Sequence, residues 1–185
     1  MTETNQQRRR WLALGGIVLG SVIMPTQLFA AVSTPKPRIL RFRNINNGER
    51  LTSQFINGKI TGSAALQQLN YFLRDRRSQQ VCRMDPNLFG KFYQIQSQLG
   101  LRNTEIQIIC GYRAPATNAS MRRRSRGVAK NSYHTRGQAI DFRIDGISLS
   151  QVRKAAAGLN NGGVGYYPRS NFVHIDTGPV RTWRG

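Results

Sequence analysis

The chain has 185 residues, 39% of them apolar, which suits one domain with a short appendage and a core that needs no disulfide framework. Lys and Arg number 28 against 8 Asp and Glu, a formal charge of +20. These figures exclude collagen-like, low-complexity and cysteine-stapled chains, and they point to a polyanionic partner: nucleic acid, an anionic membrane face, or a carboxylate-rich polymer such as cell wall.

Residues 1–30 run polar and basic, then apolar from Trp11 to Met24, then through Pro25 to small residues at Ala30 and Ala31, the order of a signal peptide. The apolar run is broken by Gly15, Gly16, Gly20 and Ser21 and falls short of the roughly 20 residues that cross a bilayer, so no stable membrane span is expected. Gln7–Ala13 reads QRRRWLA and resembles a twin-arginine export signal with Arg8 and Arg9 as the pair, an ordinary basic n-region being the alternative. Cleavage after Ala30 is expected, leaving 31–185 as a single exported domain. Cys82 and Cys110 lie far apart in no ligand-spaced motif, and the oxidising destination permits a bridge between them.

Pro35 and Pro37 suit an extended entry into the fold. Ile39–Asn44 and Arg50–Ile56 flank Asn46, Asn47 and Gly48 and predict a hairpin. Ser63–Arg77 spaces Leu66, Leu69, Tyr71, Phe72 and Leu73 as a helix with Ser63 as N-cap. Asp85 before Pro86 opens a second helix, and Gly100 ends it. Beyond Gly100 the period changes. Glu105–Cys110, Gln138–Ile144, Val164–Tyr167 and Phe172–Asp176 read as strands, with a helix over Ser150–Leu159. Helices first and strands later predict an α+β fold, a small antiparallel sheet packed against helices from the N-terminal half. Ala114–Asn131, with Arg122, Arg123, Arg124 and Arg126, is read either as a solvated helix face and loop or as an anion-contacting rim.

The chain has two histidines, His134 and His174. Alternation in AIDFRI puts Asp141 on a polar face with Ala139 and Arg143. In FVHID it puts His174 with Phe172 and Asp176. If the two strands are neighbours, opposed residues have Cα atoms about 4.5–5.5 Å apart, and Asp141 and His174 can share one ion with His134 entering from the preceding loop. Two imidazoles and a carboxylate suit zinc with one position left to water. A structural, hydrogen-bonded His–Asp pair is the competing reading. Gly162, Gly163 and Gly165 are read as turn and bulge glycines or as a cleft wall. Tyr133 and Tyr166 are candidate substrate contacts from their nearness in sequence to the ligands.

SYHTRGQAID at Ser132–Asp141, with GYR at Gly111–Arg113 and FVHID at Phe172–Asp176, resembles the zinc peptidases of the D-Ala-D-Ala carboxypeptidase and lysostaphin-like superfamily. Their pattern is S-x-H, six residues, D, and a distal His. Within that superfamily the chain is most similar to the exported murein endopeptidases of the MepK group, from its leader and STPKPRIL through to GGVGYYPRSNFVHIDTGP. The resemblance implies His134, Asp141 and His174 as zinc ligands and Arg113 as a charge-holding residue beside substrate. It also implies a periplasmic location and hydrolysis of peptidoglycan cross-links between diaminopimelate residues.

The pattern departs from its relatives at the general base. They place Glu three residues before the distal His, or His two before it, where this chain has Asn171 and Phe172. Asp176 shares the predicted face of His174 and is expected as the base, with an orienting role for the imidazole as its alternative. A non-catalytic wall-binding module of the same fold is the competing function. Nucleic acid is not an expected partner, because no stacking motif or recognition helix accompanies the charge.

Overall fold

The computed structural model describes residues 38–56, 59–60, 62–125 and 127–185; the leader lies outside them. Eight strands form one mixed sheet: β1 (Arg38–Asn44), β2 (Arg50–Ile56), β3 (Lys59–Ile60), β4 (Glu105–Cys110), β5 (Ala139–Ile144), β6 (Gly163–Tyr167), β7 (Phe172–Asp176) and β8 (Arg181–Arg184). Their order is β3-β2-β1-β4-β5-β7-β6-β8. Among the described residues the α-helices are α1 (Ser63–Phe72), α2 (Asn87–Gln98), α3 (Pro115–Arg124) and α4 (Leu149–Gly158). The class is α+β as expected, but the sheet is wider than expected and carries two parallel pairs, β1 with β4 and β6 with β8. Its centre, β4-β5-β7-β6, is antiparallel throughout.

The hairpin forms as its turn residues dictate, with Gly48 at φ +75°. The first helix stops at Phe72, short of the expected Arg77. Asp75 supplies the reason, because its carboxylate accepts from the amides of Arg77 (2.7 Å) and Ser78 (3.1 Å) and so replaces helix with a side-chain-closed turn. Tyr71, predicted among the apolar set, is exposed and lies under the Arg74 guanidinium. In α2, Asp85 accepts from Asn87 N at 3.0 Å, and Gly100 at φ +66° follows the last turn. Ser148 caps α4, which begins at Leu149, one residue before the expected Ser150.

Alternation along the strands separates two faces of the sheet. Leu40, Phe42, Ile106, Ile108, Ile140, Phe142, Val173 and Ile175 point to one face, where α1, α2 and α4 cover them. Phe92 of α2 is the hub, edge-on to Phe142 at 4.8 Å and to Phe42 at 5.6 Å. Each such fully buried ring contributes about 2–3 kcal/mol of hydrophobic stabilisation. The opposite face carries Asp141, His174 and Asp176. Among the described residues no helix is long and apolar enough to cross a membrane.

Candidate metal centre

Asp141 on β5 and His174 on β7 are directly opposed in the ladder, as are Ala139 and Asp176, so the sheet itself brings the two predicted ligands together. His134 arrives from a 3₁₀ turn over Tyr133–Arg136. Gly137 closes that turn at φ +69°, packed so tightly that a Cβ there would meet the carbonyl of Arg83. The three side chains are buried and mutually in contact. His134 Nε2 stands 3.2 Å from Asp141 Oδ1 and 3.2 Å from His174 Nδ1, and His174 Nδ1 stands 2.8 Å from Asp141 Oδ1.

The outward nitrogens fix what the inward ones can do. His134 Nδ1–H donates to Gly111 O at 2.7 Å, and His174 Nε2–H donates to Asp176 Oδ2 at 3.1 Å. If both imidazoles carry only those outward protons, His134 Nε2, His174 Nδ1 and Asp141 Oδ1 are three acceptors facing one another. Such a cluster requires a proton or a cation between its members. Burial works against charge on His134, but the neighbouring Asp141 carboxylate prevails and pushes its pKa up to about 10. Burial likewise opposes ionisation of Asp141, yet His134 and His174 hold it well below the usual carboxylate range.

Asp176 is fully buried and completely engaged. Oδ1 accepts from Gly163 N (2.9 Å), Gly178 N (2.9 Å) and Arg181 (3.1 Å), while Oδ2 accepts from Arg181 (2.6 Å) and His174. Burial would raise its pKa, but the bonds from His174, Arg181, Gly178 and Gly163 hold it well below the ordinary range. Of the two roles expected for Asp176, this arrangement favours orienting the imidazole over acting as base: the carboxylate sits behind His174 with both oxygens occupied by protein donors. Gly163 and Gly165 leave room for this arrangement, since a Cβ would meet Asp176 and Arg181 at the first and Trp183 at the second.

Arg113 is held by the segment the GYR motif begins. Gly111 admits the close approach of Leu73, Tyr112 N donates to Leu73 O, and the carboxylate of Asp75 accepts from Ala114 N at 2.6 Å. The Arg113 guanidinium donates to Asn118 Oδ1 at 3.2 Å and reaches within 3.9 Å of Asp141 Oδ2, while its Nε is buried without a partner.

His134, Asp141, His174 and Arg113 line a cleft of about 910 Å³. Tyr133 is in its wall, stacked on Arg181 at 5.0 Å. Tyr166 is not. It pairs with Val173, on the helix-covered face, and stacks on Arg153 and Arg184, so the predicted contact is on the wrong side of the sheet. Its neighbour Tyr167 takes the cleft side, accepting from Trp183 Nε1 at 2.8 Å, and Trp183 stands 5.2 Å from the His174 ring. Arg122, Arg123 and Arg124 project from α3 into solvent, the solvated reading of that run, while Arg126 lies outside the described residues; among those described, the cleft's arginines are Arg74, Arg76, Arg77, Arg113, Arg181 and Arg184.

One contributor escaped the sequence reading. Cys110 Sγ, His134 and Asp141 place donor atoms within 4.8 Å of one another, a group suited to holding a metal ion. Burial raises the Cys110 pKa, but His134 beside it brings the thiol below its ordinary value. Cys82 and Cys110 are both free thiols.

The family model described as peptidoglycan L,D-endopeptidase MepK, a peptidase M15 group, matches residues 32–183. The chain belongs to the MepK family. A MepK relative from Haemophilus influenzae, described as a "probable peptidoglycan L,D-endopeptidase MepK", is 62% identical over 185 residues, covering 100% of both chains. The Escherichia coli K12 peptidoglycan L,D-endopeptidase MepK is 52% identical over 183 residues, 99% of this chain and 100% of that one, and the Shigella flexneri MepK matches equally. No solved structure matches the chain.

Proposed function

We propose that this chain is a zinc-dependent endopeptidase that hydrolyses peptide cross-links of peptidoglycan, taking the bond between diaminopimelate residues, after export to the periplasm through its twin-arginine-type leader. The single observation that carries the proposal is the set of three buried acceptors, His134 Nε2, Asp141 Oδ1 and His174 Nδ1, facing one another at 2.8–3.2 Å in the cleft wall. Ligand atoms around a tetrahedral zinc at about 2.0–2.1 Å stand roughly 3.3–3.4 Å apart, so the donor set accepts that ion with small adjustments. Relatives 62% and 52% identical that carry the name L,D-endopeptidase support the bond assignment.

Zinc held there would polarise the scissile carbonyl and make water nucleophilic near neutral pH. The protein's own part is to hold charge and position. Asp176 fixes the His174 tautomer and ring plane, and Arg181 fixes Asp176. Arg113 presents an anchored guanidinium beside Asp141, where negative charge develops on the substrate oxygen. Tyr133, Tyr167 and Trp183 line the cleft for the peptide stem, and its arginines attract the free carboxylates of the wall.

A second reading, wall binding without hydrolysis, draws support from the acids of the cleft. Asp75 and Asp141 are the carboxylates that line it among the described residues, and both are engaged by protein groups. Incubating the zinc-loaded protein with purified cross-linked muropeptide dimers separates the two readings. Release of monomers is expected; intact dimers at every zinc load would leave only the binding function.

A further inference from the structure

The row of paired residues that opposes Asp141 to His174 continues across the sheet to Trp183. His174 on β7 lies opposite Gly165 on β6, and Gly165 lies opposite Trp183 on β8. Neighbouring strands run about 4.8 Å apart, so two strand spacings separate the backbones of His174 and Trp183 by roughly 10 Å. Their rings nevertheless stand 5.2 Å apart, because Gly165 between them has no side chain. A Cβ at Gly165 would lie 2.6 Å from the indole, so the ring leans across β6 through the space the glycine leaves. The indole is also fixed in place. Its Nε1–H donates to Tyr167 Oη at 2.8 Å, Tyr167 stacks on Phe172 at 4.4 Å, and the Arg181 guanidinium lies 4.9 Å from the indole centre. Trp183 is half-buried and lines the cleft, so part of the ring stays open to it.

We infer that Trp183 is a specificity-determining residue, the apolar wall against which the long aliphatic side chain of the diamino-diacid residue flanking the scissile bond packs. The inference rests on the endopeptidase reading above and names the part of the substrate that reading selects. The polar atoms around the indole are already used. Its N–H is taken by Tyr167, and the Arg181 guanidinium by Asp176 and the carbonyl of Pro179. What remains on offer is hydrocarbon contact. A substrate ammonium over the ring would be repelled by the guanidinium already stacked there, whereas methylene groups meet no such repulsion. Each buried methylene strengthens binding roughly fourfold, so a diaminopimelate side chain outweighs the methyl of alanine by about tenfold or more.

The chain has two tryptophans, Trp11 in the leader and Trp183, so in full-length Trp11→Phe the cleft indole is the sole source of tryptophan fluorescence. With zinc supplied, a stem tripeptide ending in diaminopimelate is expected to shift that emission and to bind at least about tenfold more tightly than the same peptide ending in alanine. Trp183→Ala is expected to raise KM for muropeptide dimers about tenfold, with kcat changed less than about threefold and bound zinc unchanged. Trp183→Phe keeps an aromatic face and should recover most of the loss. Should Trp183→Ala fail to fold, the peptide comparison in Trp11→Phe and the kinetics of Trp183→Phe decide the matter. Equal affinity for the two peptides, or an unchanged KM in folded Trp183→Ala, would overturn the assignment while leaving the endopeptidase reading standing. Loss of bound zinc from Trp183→Phe would also overturn it, making the ring a support for His174. A selective emission change in a protein that leaves dimers intact would keep the apolar wall and bring down hydrolysis instead.

Discussion

His174 donates through Nε2 to Asp176 Oδ2 at 3.1 Å, and that one bond determines that Nδ1, not Nε2, faces Asp141. A carboxylate so placed orients an imidazole and raises its basicity without touching substrate.

Asp176→Asn is accordingly expected to weaken zinc binding about 10- to 100-fold while costing less than about a hundredfold in turnover once zinc is saturating. Chelator competition and muropeptide kinetics at graded zinc distinguish the two effects. Unchanged affinity with a larger turnover loss would return Asp176 to the role of general base.

His134→Ala and His174→Ala should each abolish stoichiometric zinc and hydrolysis, because each removes one of three acceptors that converge within 3.2 Å. Metal analysis of purified variants checks this. Full activity in either would refute the ligand assignment.

Metal binding must expel a proton. With His134 raised to about 10, its imidazole is protonated at neutral pH in the metal-free protein. Apparent zinc affinity is therefore expected to climb about tenfold per pH unit below that value, until the ligands are deprotonated. Calorimetry in two buffers of different ionisation enthalpy measures the released proton, and a pH-independent affinity would contradict it.

The same shift has a consequence for the metal-free fold. The folded pKa of His134 lies above its ordinary 6.5, so its stabilisation is fully present below 6.5 and is lost as pH rises towards about 10. Asp141 lies below its ordinary 3.8, so its stabilisation is present above 3.8 and disappears on further acidification. Urea unfolding after chelation should show the cluster's contribution greatest between these two values and declining on the alkaline side.

Gly162→Ala should lower stability by about 3 kcal/mol or more. Gly162 holds φ +81°, and a Cβ there would fall on the carbonyl oxygen of Asp176 and beside Lys91 Nζ. The buried Lys91 donates to the carbonyls of Asn161 and Asp176, so the clash disturbs the support of His174 as well as the turn. Thermal melts with and without zinc read both effects.

Much of the centre was legible in the sequence because period-two alternation is local. Asp141, His174 and Asp176 follow from their own strands, and the strand boundaries for Glu105–Cys110 and Phe172–Asp176 match the structure. What needed a partner strand was not legible. The bulge at Ile109 exists only in the pairing of β4 with β5, so nothing local announced that Cys110 joins the site. Tyr166 and Tyr167 sit side by side in sequence on opposite faces, and the register against His174 decides which one meets the cleft. The role of Asp176 turned on Arg181, Gly163 and Gly178, donors that strand alternation does not supply.

The ladder that opposes Asp141 to His174 also constrains which ion the protein can select. β5 and β7 are hydrogen-bonded to each other and, on their outer edges, to β4 and β6 respectively, so their spacing is a property of the backbone and not of the guest. A larger cation with bonds of about 2.3–2.6 Å, such as calcium, would have to prise apart two central strands to be gripped, whereas a small one fits the spacing already set. In the proposed metal centre, discrimination among ions would thus be enforced by the same main-chain bonds that keep the molecule folded.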